Sequence, residues 1–249
     1  MSLLAVEAIA KRYGGVTALA GATFTIDRPG IYGLIGPNGA GKTTLFDVVA
    51  GSTSADSGRV TLNGRDVTGT APHRLANAGL ARSFQECRVL PEITCLDNLL
   101  FAAQPKSVAT TLKQLVTRSN SHRYGLLDEA HRLLALVNLT AYADAPAAVL
   151  SFGQRRLLEI VATFMVHPKV LLLDEPAAGV NPALLDTLTT AIRTMFTARP
   201  GVFLIVEHNM SFILALADEI IVMHQGTVLE RGSPAAIQAS PRVLEAYLG

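Results

Sequence analysis

"GIYGLIGPNGAGKTTLFDVVAG", Gly30 to Gly51, passes from an apolar run through a glycine-rich loop into a segment with helical spacing. Its centre, "GPNGAGKTT" from Gly36 to Thr44, fits the phosphate-loop pattern of two glycines five positions apart followed by Lys and Thr. Glycines at those places let successive backbone N–H groups turn inward around a polyphosphate, and the helix that follows aims its positive end at the same point. Lys42 then reaches the β and γ phosphates, and Thr43 offers its hydroxyl to magnesium. Gly36, Pro37, Asn38, Gly39, Ala40, Gly41, Lys42, Thr43 and Thr44 are therefore the candidate nucleotide contacts. A turn built only for packing would not account for Lys and Thr at these two positions.

Outward from this loop the chain reads as α/β. Upstream, "LLAVEAIAKRY" and "TALAGATFTID", and downstream "SGRVTLNG", are β-rich runs bounded by Gly, Asp and Pro, which predicts a β-subdomain. Gly51 is placed to close the helix "KTTLFDVVAG". From about Leu96 to Val149 the spacing becomes helical in "LDNLLFAAQ", "TTLKQLV" and "DEAHRLLALVNL", predicting a helical insertion. The polar stretch "QPKSVATTLKQLVTRSNSHRYG" within it reads equally as connection or helix. After the insertion, "KVLLLDEP" and "GVFLIVEH" are unbroken apolar runs, as strands buried on both faces of a parallel sheet are.

Those two strands end in chemistry. In open α/β sheets ligands bind beyond the carboxyl ends of the strands, where Glu175, His208 and the glycine loop all fall. Asp174 closes its strand where a phosphate-loop magnesium is held, and Glu175 follows as a candidate general base for an attacking water. Two adjacent carboxylates also cap helices, but beside a full phosphate loop the pair points to a nucleotide hydrolase. "LSFGQRRLLEI", Leu150 to Ile160, opens a helix with Ser151 as its N-cap, yet no nearby acidic group receives its remaining donors.

Composition excludes several classes. With 21 basic and 20 acidic residues spread along the chain, no basic field argues for nucleic acid. Cys87 and Cys95 are too few for a zinc site and read as reduced thiols, which favours the cytosol. The start "MSLLAVEAIAKRYGG" lacks a basic leader region and carries Glu7 early, so no signal peptide is expected. The apolar runs fall well short of the roughly 20 residues a membrane-spanning helix needs.

"GPNGAGKTT", "LSFGQRR", "LLLDEP" and "LIVEHNM", in this order and over nearly the whole chain, resemble the nucleotide-binding subunit of an ATP-binding cassette (ABC) transporter. The resemblance implies one domain over 1–249: a RecA-like phosphate-loop NTPase core with an antiparallel β-subdomain (1–95 and 155–249) and a helical subdomain with the signature turn (about 96–154). It implies ATP and Mg2+ as ligands. It also implies that two such subunits face head to tail, so that Ser151, Gly153 and Gln154 of one close over the ATP of the other. By position, Tyr13 resembles the aromatic that stacks on adenine. Gln85 resembles the glutamine that joins magnesium, nucleophilic water and the membrane-subunit contact, and His208 the switch histidine that touches the γ-phosphate and orients Glu175. Phe152, Asn181 and Asn209 depart from the commonest family pattern, in which Gly, Asp and Asp stand there; none removes a phosphate donor or the catalytic acid.

"DEPAAGVNP", "ARSFQECRVLPEITCLDNLL" and the ending "RVLEAYLG" narrow the resemblance to the ATP-binding subunits of branched-chain amino acid importers and their urea or short-amide relatives. Implied partners are a second cassette subunit, the same chain or a paralogue, two membrane permeases and, indirectly, a substrate-binding protein. The implied location is the cytoplasmic face of the cell membrane. Two other readings compete: a separate single-cassette ATPase of the iron-sulfur assembly type, and a nucleotide-dependent scaffold, against which Glu175 and His208 argue. A translation factor would carry two cassettes, and a repair ATPase a long coiled coil after Gln85.

Overall fold

The computed structural model describes residues 2–83, 89–104 and 120–248. Gln85 and Cys87 lie outside these residues, as do positions 105–119 of the polar stretch. In chain order the elements are β1 (Leu4–Tyr13), β2 (Val16–Ile26), β3 (Gly30–Ile35), α1 (Lys42–Val49), β4 (Ser57–Leu62), β5 (Arg65–Asp66), α2 (Pro72–Asn77) and β6 (Leu80–Arg82). Then come α3 (Cys95–Ala102), α4 (Asn120–Leu136), α5 (Phe152–Phe164), β7 (Val170–Asp174) and α6 (Pro182–Ala198). β8 (Val202–Val206), α7 (Met210–Leu216), β9 (Glu219–His224), β10 (Thr227–Gly232), α8 (Pro234–Gln238) and α9 (Pro241–Leu248) complete the chain. The mixed α/β class expected from the phosphate-loop pattern is the class observed.

Two compact units divide the chain. One comprises Met1–Arg82, Pro168–Pro176 and Phe196–Gly249, and the other Ser83–His167 and Ala177–Met195. All the strands among the described residues fall in the first. A four-stranded sheet has the order β2-β1-β4-β5, with antiparallel pairing throughout, and a six-stranded sheet the order β10-β9-β3-β8-β7-β6. Pairing in the larger sheet is parallel from β9 to β6, and only β10 runs antiparallel. Every residue of β3, β7 and β8 is buried, which explains their unbroken apolar sequences.

Register puts the functional loops on one edge. Leu34 of β3 and Asp174 of β7 both pair with Val206 of β8, so the loops after these three strands leave the sheet at the same level. A core including Leu4, Ile9, Phe24, Leu45, Phe46, Leu172, Leu204 and Met223 joins both sheets around α1. Helix α1 ends on Ala50, and Gly51 follows in the left-handed region with φ 71°, its N–H bonded to the Val48 carbonyl at 3.1 Å. Gly51 is thus the residue just past the cap, where a side chain would strain the turn.

The second unit contains only helical elements and turns among the described residues, apart from one bridge between Thr94 and Pro146. Thr94 caps α3 by accepting the Asp97 N–H at 3.0 Å. Buried Asn98 receives the Leu90 N–H at 2.8 Å and donates to the Leu90 and Thr94 carbonyls at 3.0 and 2.9 Å, fixing the approach to α3. Cys95 is a buried free thiol whose pKa is pushed up by burial. Helix α5 buries Leu157, Leu158, Ile160, Val161 and Phe164, the stripe that "RRLLEIVATF" encodes.

Candidate functional site: the phosphate loop and its carboxylates

Between β3 and α1 the glycine loop takes a shape that side chains oppose. Gly36, Gly39 and Gly41 have φ of 151°, 79° and 95°. A Cβ at Gly36 would collide with the Met223 carbonyl of β9, and one at Gly41 with the Ala18 carbonyl of β2. The loop is therefore wedged between backbone segments that only glycine admits. No side chain caps α1, so its first N–H groups face the loop that Gly36 to Gly41 form. Lys42 is buried there, its Nζ donating to the carbonyls of Gly36 at 2.7 Å and Pro37 at 3.0 Å. Burial lowers its pKa from the usual lysine value, and the Glu175 carboxylate works in the opposite direction.

Asp174 is fully buried (0% exposed) at the end of β7. Its Oδ2 accepts from Arg82 Nη2 at 2.7 Å, while Nη1 of the same guanidinium donates to Asp47 of α1 at 2.6 Å. Arg82 thereby ties the strand that carries Asp174 to the phosphate-loop helix, and its guanidinium lies 5.6 Å from the Phe46 ring centroid. Burial raises the Asp174 pKa above the ordinary carboxyl value, and Arg82 opposes the rise. Arg82 belongs to no motif in the sequence, although it stands three places before Gln85.

Glu175 adopts φ 45°, uncommon for a residue with a side chain, and its N–H is held by the Val206 carbonyl at 2.9 Å. The strand ladder thus continues one residue past β7 while the carboxylate turns out of it. His208 Nε2 lies 2.6 Å from Glu175 Oε1. Buried Glu207 accepts the N–H groups of His208 and Asn209 at 2.9 and 3.0 Å, which fixes the backbone beneath the histidine. Asn209 caps α7 by accepting the Phe212 N–H at 3.1 Å. The Asp-to-Asn departure at 209 therefore preserves an N-cap oxygen. Among the described residues no three His, Cys, Asp or Glu are arranged to hold a metal by themselves. Tyr13 ends β1, 50% exposed, with Lys11 Nζ 5.5 Å from its ring centroid.

In the second unit, Ser151 and Gln154 form a capping box at the start of α5. The Ser151 hydroxyl accepts the Gln154 N–H at 3.3 Å, and the Gln154 side chain accepts the Ser151 N–H at 2.9 Å. Phe152 is 53% exposed, and its ring lies so close to Gly179 that a Cβ there would strike it. Gly153 is equally confined, by Leu184. Asn181 accepts the Leu184 N–H at 3.0 Å. The phosphate loop, Asp174, Glu175 and His208 thus belong to the first unit, and Ser151, Gly153 and Gln154 to the second.

The family model described as "ABC transporter" matches residues 19–178, from within β2 past Glu175. The chain belongs to the ABC transporter family. A second model of this family, "Branched-chain amino acid ATP-binding cassette transporter", matches residues 227–249. The cassette is 35% identical to the high-affinity branched-chain amino acid transport ATP-binding protein BraF of Pseudomonas aeruginosa, over 99% of this chain and 98% of BraF. It is 36% identical to the corresponding LivG of Salmonella typhimurium, over the same shares of each. A solved nucleotide-free ATP-binding cassette from an ABC transporter is similar with a TM-score of 0.83 at 32% identity, covering 100% of both chains. A cassette solved in its ADP conformation matches as well, with a TM-score of 0.83, 32% identity and 100% and 99% coverage. The chain is an ATP-binding cassette ATPase of a transporter.

Proposed function

We propose that this cassette hydrolyses ATP to drive import of branched-chain amino acids. The observation that carries the reading is full-length similarity, at 35–36% identity, to proteins named for branched-chain amino acid transport. The matching C-terminal family model supports it. The cassette works from the inner face of the cell membrane on two permease subunits, with a substrate-binding protein upstream. No helix among the described residues is long and apolar enough to cross a membrane, which suits a peripheral role.

The proposed chemistry follows from the first unit. The free N–H groups at the start of α1, together with Lys42, neutralise the β and γ phosphates, and Tyr13 stacks on the base. Glu175 takes a proton from a water as its oxygen attacks the γ-phosphorus, and the bond to the β–γ bridging oxygen breaks to give ADP and inorganic phosphate. With hydrogen on Nε2, His208 donates to Glu175 and holds the carboxylate in place. Thr43 and Asp174, together with Gln85 outside the described residues, would hold a Mg2+ bound with the nucleotide, which would supply neutralisation of phosphate charge. The donor set fits that ion, because it offers one carboxylate, Asp174, with neutral oxygens beside it, and magnesium completes its shell with phosphates and water. Ser151, Gly153 and Gln154 close over the nucleotide of a second cassette subunit, a further copy or a paralogue.

Uptake of radiolabelled leucine, isoleucine and valine tests the substrate. Deleting the gene in its own host should abolish high-affinity uptake of all three, and the intact gene should restore it. Unchanged uptake of all three, with loss of urea or short-amide uptake, would assign the cassette to the related importers instead.

A further inference from the structure

One acidic residue of the first unit clasps the strand end that carries Tyr13. Strand β1 stops at Tyr13, and a turn of Gly14 and Gly15 leads into Val16 of β2, with which Tyr13 pairs. Gly14 has φ 56°, and among the described residues nothing lies within 4 Å of where a Cβ on either glycine would stand. The turn itself therefore gives Tyr13 no support. Support comes from Asp56, just before β4, where the β1–β4 ladder ends at Ala10 and Ser57. Its N–H donates to the Ala10 carbonyl at 2.9 Å, its Oδ2 accepts the Arg12 N–H at 2.7 Å, and its Oδ1 accepts from Lys11 Nζ at 2.9 Å. Ala10, Lys11 and Arg12, the residues leading up to Tyr13, are thus all bonded to one aspartate. Lys11 and Tyr13 share a face, as residues two apart on a strand do, and Lys11 Nζ stands over the Tyr13 ring, 5.5 Å from its centroid. The Lys11 side chain is only 16% exposed, whereas Tyr13 is 50% exposed.

We propose that Lys11 and Asp56 are positioning residues for the nucleotide base: Asp56 fixes the end of β1, and Lys11 backs one face of the Tyr13 ring so that the other face meets the base. A half-exposed aromatic beside an unsupported glycine turn samples several orientations, and stacking on a base would have to order it. The clasp removes part of that cost before the nucleotide arrives. The ammonium is drawn to the electron-rich face of the ring. Asp56 in turn holds the ammonium, which on a flexible four-carbon stem would otherwise roam. An ion pair this near the surface contributes little to stability, so what the clasp changes is the orientation of the ring. The two residues act through Tyr13 and have no part in the chemistry at the γ-phosphate.

The proposal rests on Tyr13 stacking on the base, and the test separates the two claims. Inhibition constants against ATP hydrolysis are measured on the full-length chain for magnesium ADP and for magnesium tripolyphosphate, which carries phosphates without a base. Lys11→Met, which keeps the stem and loses the charge, should weaken ADP roughly two- to fivefold and raise the KM for ATP in proportion. Tripolyphosphate inhibition should not change, and the loss should fall on KM rather than kcat, the pattern of lost uniform binding. Asp56→Ala, which releases both the lysine and the strand end, should weaken ADP at least as much, and Lys11→Arg, which keeps a cation for ring and carboxylate, should restore it. Added to Tyr13→Ala, Lys11→Met should weaken ADP no further, because its effect passes through the ring. An unchanged ADP constant in Lys11→Met beside a weakened Tyr13→Ala overturns the proposal alone. Equal weakening of ADP and tripolyphosphate also overturns it, since the lysine would then act on the phosphates. If Tyr13→Ala binds ADP as the wild type does, the base-stacking reading fails and the proposal with it.

Discussion

Arg82 sits between two carboxylates that the chain brings from far apart, Asp47 and Asp174, 35 and 92 positions away. Removing it leaves a fully buried carboxylate without its guanidinium. Arg82→Ala should therefore cost about 3 kcal/mol, lowering the Tm by roughly 6–12 °C. The sign with pH follows from Asp174, whose folded pKa is already raised. Such a group favours the fold below its unfolded pKa and loses that contribution as pH rises through the folded value. The deficit of the variant should accordingly shrink as pH falls from about 7 toward about 4, which denaturation at several pH values will read; a constant deficit across that window would contradict the role. Lys42, Asp174 and Glu175 were legible because their motifs fix chemistry within a few residues. Arg82 was not, because its partners become neighbours only when α1, β6 and β7 assemble.

At the scale of elements, the start of α5 combines two uses of one turn. Its capping box satisfies local N–H groups, so Ser151→Ala should destabilise the helix by about 1 kcal/mol and lower the Tm by roughly 2–4 °C. A wild-type unfolding temperature would show that the cap contributes nothing measurable. The β9–β10 hairpin is secured by Arg231, which pairs with Glu219, donates to the Thr25 carbonyl of β2 and lies 5.9 Å from the Tyr32 ring. Its hydrogen bond holds the Glu219 pKa below the ordinary carboxyl value. A depressed pKa gives stability above the unfolded value and loses it as pH falls through the folded one. The Tm gap between wild type and Arg231→Met should thus narrow as pH falls from about 7 toward about 3; a gap that widens would be contrary. Long strands and helices were readable from period and breakers, and β1, β3, α1, β7 and β8 lie where their patterns point. Residues 65–82 were not, since β5 and β6 span 2 and 3 residues and their pairing partners alone define them.

For the whole molecule, the division into two units sets the functional question. The first holds the phosphate loop, Asp174, Glu175 and His208, and the second offers the Ser151–Gln154 turn with exposed Phe152 beside it. In the proposed cycle a second copy supplies that turn, and ATP joins the two chains through it. Hydrolysis at Glu175 removes the joint. Replacing Glu175 by Gln keeps the phosphate contacts and withdraws the base, so the joined form should persist. The measurement that tests this most directly is the molar mass of full-length Glu175→Gln by light scattering after size exclusion, with and without ATP. The expected result is a rise from 26.4 kDa to twice that on adding ATP. A mass that stays at that of one chain while ATP is bound would contradict closure by a second copy.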